Sequence, residues 1–388
     1  MFKVEEQSVF SLSASEPEGL EGLRVLHLGK FYPPHPGGME THLQALCGEL
    51  KRAVEVEVIV AGEGRETICE EVDGVRVSRL GTTMNFAAAP VCPQMVRRVR
   101  ESRADIVHLH WPNPTAVLAY LMSGHRGHLV FTYHSDIIRQ RILRKPFWPI
   151  LTIALKRARA IIATSPDYVQ TSTVLQKFRE RCRVIPFGIP LEQFDQPNAI
   201  EVSKLRRQYG ARLVLTVGRL VYYKGFQYLI RAMREVDGHL LIVGHGPVRD
   251  ELEREARAAG VSERVTFLGD MPDVRPYYHA ANVFVLPSIA RSEAFGIVQL
   301  EAMACAKPVV NTSLASGVPF VSPGGLTGLT VTPADAHALA QAINTLLDNP
   351  ALSAGYGQAG RRRVEQEFSL EVMTRRTLKV YEEVVGRQ

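Results

Sequence analysis

The chain has 388 residues, 46% of them hydrophobic and 22% charged, with 46 Lys plus Arg against 40 Asp plus Glu and a net charge of +6. At about 100–200 residues per domain, that length accommodates two or three domains with well-filled cores and excludes a disordered or fibrous chain. No stretch approaches the ~18–20 apolar residues of a membrane-spanning helix, since the densest run, Ile150 to Leu155, is broken by Thr152.

In chain order, residues 1–22 hold five Glu and one Lys. That is the wrong polarity for a secretory or mitochondrial leader and predicts a loose acidic tail on a cytoplasmic protein. Short apolar runs then alternate with amphipathic stretches. Strands are predicted at 25–29, 56–61, 75–80, 105–110, 129–134 and 160–165, with helical spacing over Gly38–Lys51, Pro90–Arg103 and Asp167–Gln176. This βαβ rhythm implies a parallel sheet covered on both faces. Residues 23–190 hold 23 basic and 14 acidic side chains, so an acidic partner is expected on this part of the chain.

The prolines of RVIPFGIPLEQFDQP interrupt the rhythm near Phe187–Asn198, and an interdomain connection is placed there. A second series follows, with strands at 212–218, 239–244, 264–269, 282–288 and 307–312. The fold class is therefore α/β, with two tandem Rossmann-like doubly wound domains at 23–190 and 191–368. Residues 369–388 are predicted to form a helix that returns to the first domain. The five cysteines are widely spaced without a C-x-x-C, so neither a disulfide framework nor a structural zinc site is expected.

In open α/β sheets ligands bind beyond the carboxyl ends of strands, which directs attention to the segments after these runs. After the first strand, Gly37 and Gly38 open a helix whose free N–H groups can face an anion or a sugar hydroxyl; the spacing is not that of a dinucleotide site, and a plain turn is the alternative. After the second domain's first strand, Arg219 and Lys224 can converge on one diphosphate, the Arg as a fork and the Lys as a point charge. Gly246 follows the next strand, where it leaves room for a nucleotide or simply makes a turn.

The segment from Ser288 to Met303 is the richest. On one straight helix Glu293 and Glu301 would lie ~12 Å apart along the axis, a poor fit to the ~5 Å of a retaining glycosidase pair. With Glu293 in a loop and the helix starting near Gly296, Glu293 can accept from sugar hydroxyls while Glu301 grips a ribose diol. The amides of Phe295, Gly296 and Ile297 would face the same ligand. Glu301 lies in an apolar LEAMA run, where an idle carboxylate would be costly. His134 closes a strand, where it can donate to a sugar hydroxyl or shuttle a proton, or belong to the core. His108, His110 and Trp111 end the neighbouring strand. No H-x-H, H-E-x-x-H or D-x-D spacing is read as suited to a catalytic metal, and none is expected.

Glu293 and Glu301 form an E-x7-E motif, SEAFGIVQLEAMAC. Together with Gly218-Arg219, Lys224-Gly225, the Pro36-Gly37-Gly38 loop and His134, it resembles the retaining GT-B glycosyltransferases of family four over nearly the whole chain after residue 22. The resemblance implies two domains facing a cleft, with the nucleotide sugar bound mainly by the second and the acceptor by the first. It implies Arg219 and Lys224 on the diphosphate, Glu293 and the following amides on the sugar, Glu301 on the ribose, and Gly38 and His134 from the opposite wall. No metal or further cofactor is implied; the two cations carry the developing charge, and front-face displacement retains configuration. Ala306 stands where the family usually has Gly, and His245 where an acidic residue is common. Transferases that build bacterial surface polysaccharides are most similar, which points to GDP-mannose as donor, with UDP-hexoses next. A 2-epimerase of the same architecture, or a non-catalytic nucleotide-sugar binder, are the alternatives.

The segment 139–159 carries Arg139, Arg141, Arg144, Lys145, Lys156, Arg157 and Arg159 with Phe147 and Trp148, and no acidic residue. Peripheral contact with an anionic membrane, and a lipid-linked acceptor, would suit it. The alternative is a Rossmann helix burying Ile150, Ile153 and Leu155, with Pro146 and Pro149 confining any continuous helix to its later half. Nucleic acid is not expected as a partner.

Overall fold

The computed structural model of the protein describes residues 19–35, 37–86, 89–135 and 141–386. Most of the expected N-terminal tail, Pro36 and Arg139 therefore lie outside the described residues. The chain divides into two compact units, one reaching Gly188 and resuming at Leu370, the other spanning Ile189–Ser369.

The first unit contains β1 (Arg24–Leu28), β2 (Glu55–Ala61), β3 (Ile68–Val72), β4 (Val75–Leu80), a small hairpin of β5 (Met84–Phe86) and β6 (Ala89–Val91), then β7 (Ile106–Trp111), β8 (His128–Tyr133), β9 (Ala160–Ala163) and β10 (Cys182–Val184). Its helices are α1 (Gly38–Leu50), α2 (Gln94–Glu101), α3 (Pro114–Ser123), α4 (Arg141–Arg157) and α5 (Pro166–Thr171). The main sheet runs β10-β9-β8-β7-β1-β2-β4-β3, parallel except where β3 pairs antiparallel with β4. All six residues of β7 are buried, as expected for a strand covered on both faces.

Several sequence expectations change here. The helix expected over Asp167–Gln176 ends at Thr171, where Ser172 turns to extended geometry. Pro90–Arg103 does not form one helix, because Pro90 belongs to β6 and α2 starts only after Pro93. Pro146 and Pro149 do not confine α4, which runs through both. Each proline removes one backbone donor, while burial of Leu151, Ala154 and Leu155 holds the helix against the sheet. Ile153 is 47% exposed rather than buried.

The second unit is an all-parallel sheet in the order β13-β12-β11-β14-β15-β16, from β11 (Leu213–Val217), β12 (His239–Val243), β13 (Val265–Gly269), β14 (Val283–Leu286), β15 (Val309–Thr312) and β16 (Gly328–Val331). Around it lie α6 (Ala199–Tyr209), α7 (Phe226–Ala232), α8 (Arg249–Ala258), α9 (Arg275–Ala280), α10 (Val298–Ala304), α11 (Val318–Val321), α12 (Ala336–Asp348) and α13 (Pro350–Glu367). The last helix, α14 (Leu370–Val385), belongs to the first unit. Its Leu378, Val380, Tyr381 and Val384 join Leu43, Leu46 and Leu50 of α1 and the facing side chains of β1, β2, β7 and β8 in one core. No helix among the described residues is long and apolar enough to cross a membrane.

Candidate functional site

In the second unit β12 and β13 lie on one side of β11 and β14 to β16 on the other, so the winding reverses between β11 and β14, where ligands bind in such sheets. The two loops leaving these strands are tied together. Ile289 N–H donates to the Tyr223 carbonyl at 2.8 Å. Gly225 adopts φ 69°, and a Cβ there would stand 2.1 Å from the Pro287 carbonyl oxygen, so only glycine permits the approach.

This tie brings Lys224 and Glu293 together. Lys224 Nζ lies 2.6 Å from Glu293 Oε2, which also accepts from Ser288 Oγ at 3.1 Å; both residues are more than 90% buried. Arg219 is exposed and makes no hydrogen bond or ion pair among the described residues. One cation of the expected diphosphate pair is thus already neutralised and the other is not.

Glu301 lies on the first turn of α10 and accepts from the Tyr278 hydroxyl at 2.6 Å. Glu301 is half-buried, and desolvation pushes its pKa up, opposed by the Tyr278 hydrogen bond and the charge of Lys224. Gly296 adopts φ 78°, and a Cβ there would collide with Leu286 and Gln299. The Gly296 and Ile297 amides donate to no backbone carbonyl among the described residues. The Phe295 ring is buried and meets Phe368 edge to face at 6.1 Å, anchoring the loop.

Gln299 and Asn311, both fully buried, support this loop from below. Gln299 Nε2 donates to the Phe295 carbonyl at 3.2 Å and its Oε1 accepts from Asn311 Nδ2 at 2.8 Å. The sequence analysis did not single out either residue. Gly246 packs closely: a Cβ there would stand 2.2 Å from the Leu220 carbonyl oxygen, so the missing side chain lets two loops meet. His245 is exposed. Ala306 adopts φ 52° just after α10, the left-handed position where a helix commonly ends in glycine.

In the first unit the winding reverses between β1 and β7. Asn113 ties these strand ends, donating from Nδ2 to the Gly29 carbonyl at 2.7 Å and capping α3. Gly38 begins α1, with Gly37 as its cap. A Cβ at Gly37 would stand 2.1 Å from Glu40 Oε2. Glu40 is buried, and its pKa is raised by burial against the opposing charges of His35 and Lys30. A carboxylate therefore already occupies this helix start, which favours a sugar hydroxyl there over an anion. Glu40 is the acidic residue the sequence reading passed over; its position three residues after Gly37 was the available signal.

His134 follows β8 and is buried beside His110, His42 and Phe187. Its Nδ1 has no hydrogen-bond partner among the described residues. His27 and His108 occupy paired positions on β1 and β7, and His110 lies two residues further along the same face. Burial pushes His27 and His42 down to about 3 and holds His108, His110 and His134 well below the usual imidazole range. All five are neutral near pH 7. The reading that discounted metal spacing overlooked His108-Leu109-His110, an H-x-H pair. His27, His108 and His110, and likewise His42, His110 and His134, each bring one nitrogen within 4.8 Å of the others.

A family model for group 1 glycosyl transferases matches residues 199–363, and one for glycosyltransferase family 4 matches residues 36–193. The O-antigen chain mannosyltransferase C of Escherichia coli is 34% identical over 358 residues, covering 90% of this chain and 96% of the relative. The chain belongs to this glycosyltransferase family. A D-rhamnosyltransferase of Pseudomonas aeruginosa is 33% identical over 353 residues, 89% of this chain and 92% of its own. Among solved structures, sucrose-phosphate synthase from Thermosynechococcus elongatus is similar with a TM-score of 0.77 at 25% identity, covering 94% of this chain and all of its own. The fold of the transferase is thus GT-B, with two Rossmann-like α/β domains, and its activity is hexosyl transfer.

Proposed function

We propose that the enzyme moves a mannose-type hexose from a nucleoside-diphosphate sugar to a saccharide or lipid-linked acceptor, with retention of configuration and without a metal ion. The observation that carries this reading is the Lys224–Glu293 ion pair joining the two loops at the second unit's winding reversal, with Arg219 exposed on the first of these loops. In this reading Arg219 and Lys224 stabilise charge on the departing diphosphate. Glu301 holds the ribose, and Glu293 with the Gly296 and Ile297 amides holds the sugar. The acceptor hydroxyl attacks from the face the diphosphate leaves and passes its proton to a phosphate oxygen. His134 and the Gly37–Gly38 segment contribute from the first unit. The mannosyl- and rhamnosyltransferase relatives support a GDP-mannose-like donor in polysaccharide synthesis, with UDP-hexoses as the competing class. Peripheral contact with an anionic membrane rests on the basic 139–159 segment, of which Arg157 and Arg159 are exposed beside Ile153.

Incubation of GDP-mannose and UDP-glucose, each with and without an oligomannoside acceptor and with excess EDTA, tests the reading. Transfer from GDP-mannose to acceptor in EDTA, with an α-linked product by NMR, is expected. Conversion of donor without acceptor would instead identify an epimerase.

A further inference from the structure

The buried histidines of the first unit form a single run. Thr132 Oγ1 lies 2.6 Å from His108 Nε2, and His108 Nδ1 lies 2.6 Å from the Tyr381 hydroxyl. That hydroxyl is 3.3 Å from His27 Nε2, His27 Nδ1 is 3.0 Å from His110 Nε2, and His110 Nδ1 is 3.1 Å from His134 Nε2. Six side chains from β8, β7, α14, β1 and the end of β8 make an unbranched line along the sheet face. It stops at His134 Nδ1, at the carboxyl edge of the sheet.

Hydrogen counting constrains this line. Four neutral imidazoles carry one N–H each and two hydroxyls one O–H each, so six hydrogens serve five links. With every link filled, one hydrogen remains: on the Thr132 hydroxyl, on the Tyr381 hydroxyl with its oxygen accepting from both neighbours, or on His134 Nδ1. At Thr132 or Tyr381 it would be a buried donor with no acceptor among the described residues, which is costly. His134 Nδ1 is equally buried and without a partner among the described residues, but it stands at the end of the line, where an oxygen of a bound sugar would supply the acceptor.

We propose that Thr132, His108, Tyr381, His27 and His110 are positioning residues that fix His134 as the Nδ1–H tautomer, making it a hydrogen-bond donor to an oxygen of the bound sugar. The inference rests on reading His134 as a sugar-facing residue; it adds which of two roles, donor or proton acceptor, the imidazole plays and what sets it. Consecutive hydrogen bonds polarise one another, so the last donor in the line is also strengthened. A three-imidazole metal site would draw on the same side chains, but His110 has both nitrogens engaged in the run, and a metal ion there would have to break a link.

The test uses the full-length enzyme labelled with 15N-histidine, whose long-range proton–nitrogen spectra report which ring nitrogen carries hydrogen. His134 protonated at Nδ1 is expected in the native protein, and a mixture of tautomers in Tyr381→Phe, although Tyr381 is several links away. In turnover, His134→Asn keeps an N–H near the Nδ1 position and should stay within about tenfold of native, whereas His134→Asp should lose at least about a hundredfold. Tyr381→Phe should lower kcat about threefold to tenfold in the native background and have little effect in His134→Asn, a non-additivity that general loss of stability would not produce. A native His134 protonated at Nε2, additive effects of the two substitutions, or one tightly bound transition-metal ion per chain by elemental analysis would overturn the relay. Full activity of both His134 variants would instead remove His134 from transfer, an outcome separable because the tautomer is read without turnover.

Discussion

Lys224 Nζ and Glu293 Oε2 stand 2.6 Å apart although they leave different strands of the sheet. In the proposed reaction they serve opposite ends of the donor, the ammonium its diphosphate and the carboxylate its sugar. The ion pair keeps each charge compensated within a buried loop junction, and a diphosphate must share or displace the carboxylate to reach Lys224. Substitutions on the two sides of this pair should therefore differ in kind.

Arg219→Ala and Lys224→Ala should each lower kcat/KM by at least about a hundredfold. Thermal melting separates them. Arg219→Ala removes an exposed side chain and should melt like the native enzyme, while Lys224→Ala leaves Glu293 buried without its partner and should melt lower. Activity of the native enzyme should survive excess EDTA; abolition by EDTA with rescue by Mg2+ would sink the metal-free reading.

Glu293→Gln releases Lys224 from its carboxylate. Calorimetry should show free nucleoside diphosphate binding at least as tightly as in the native enzyme, while sugar turnover falls by about tenfold or more. Weaker nucleotide binding in this variant would show that the carboxylate does not compete for Lys224.

Glu301→Gln should weaken nucleotide binding by about 1.5–3 kcal/mol if both ribose hydrogen bonds are lost in part. The same change has a pH signature. Burial raises the Glu301 pKa, so the folded state holds its proton to higher pH than the unfolded chain, and stability falls as pH rises through that interval. Glu301→Gln removes this cost. The variant should melt above the native protein near pH 7.5, with the difference shrinking toward pH 4.

Ala306→Gly relieves a non-glycine residue at φ 52°. An increase in unfolding free energy of about 1 kcal/mol is expected from denaturant titration, with unchanged kinetics. No gain in stability would mean that the Ala306 methyl makes compensating contacts.

Changing Arg139, Arg141, Arg144 and Lys145 to Ser should reduce co-sedimentation with anionic liposomes and leave the weak signal with neutral liposomes unchanged, each cation contributing up to about 1 kcal/mol at such a surface. Equal binding to both liposome types, or none to either, would leave a soluble saccharide acceptor favoured.

Most parallel strands were legible because each is a short apolar run bounded by turn residues, as in LVLTV of β11 and VFVL of β14; β10 and β16, the edge strands CRV and GLTV, were too short to stand out. β3 was not legible either, since ICEEV is an exposed edge strand whose alternation is masked by two glutamates. The placement of Glu293 in a loop ahead of α10 followed from Gly296. Its partner did not: nothing in the spacing of Lys224 and Glu293 says they touch, because that contact depends on the Gly225 turn meeting Pro287. The histidine run was hidden for the same reason. His27, His108 and His134 are far apart in sequence, and only the β1–β7 and β7–β8 registers bring them together. Tyr381 enters from a helix at the other end of the chain.

That last contribution gives synthesis an order. The second unit is continuous and is complete once Ser369 has emerged, whereas the first, made before it, lacks Leu378, Val380, Tyr381 and Val384 from its core until α14 follows. The domain begun first is therefore finished last. A chain cut after Ser369 has its second unit whole while its first has an open apolar face and an interrupted histidine line, a product for quality control to remove.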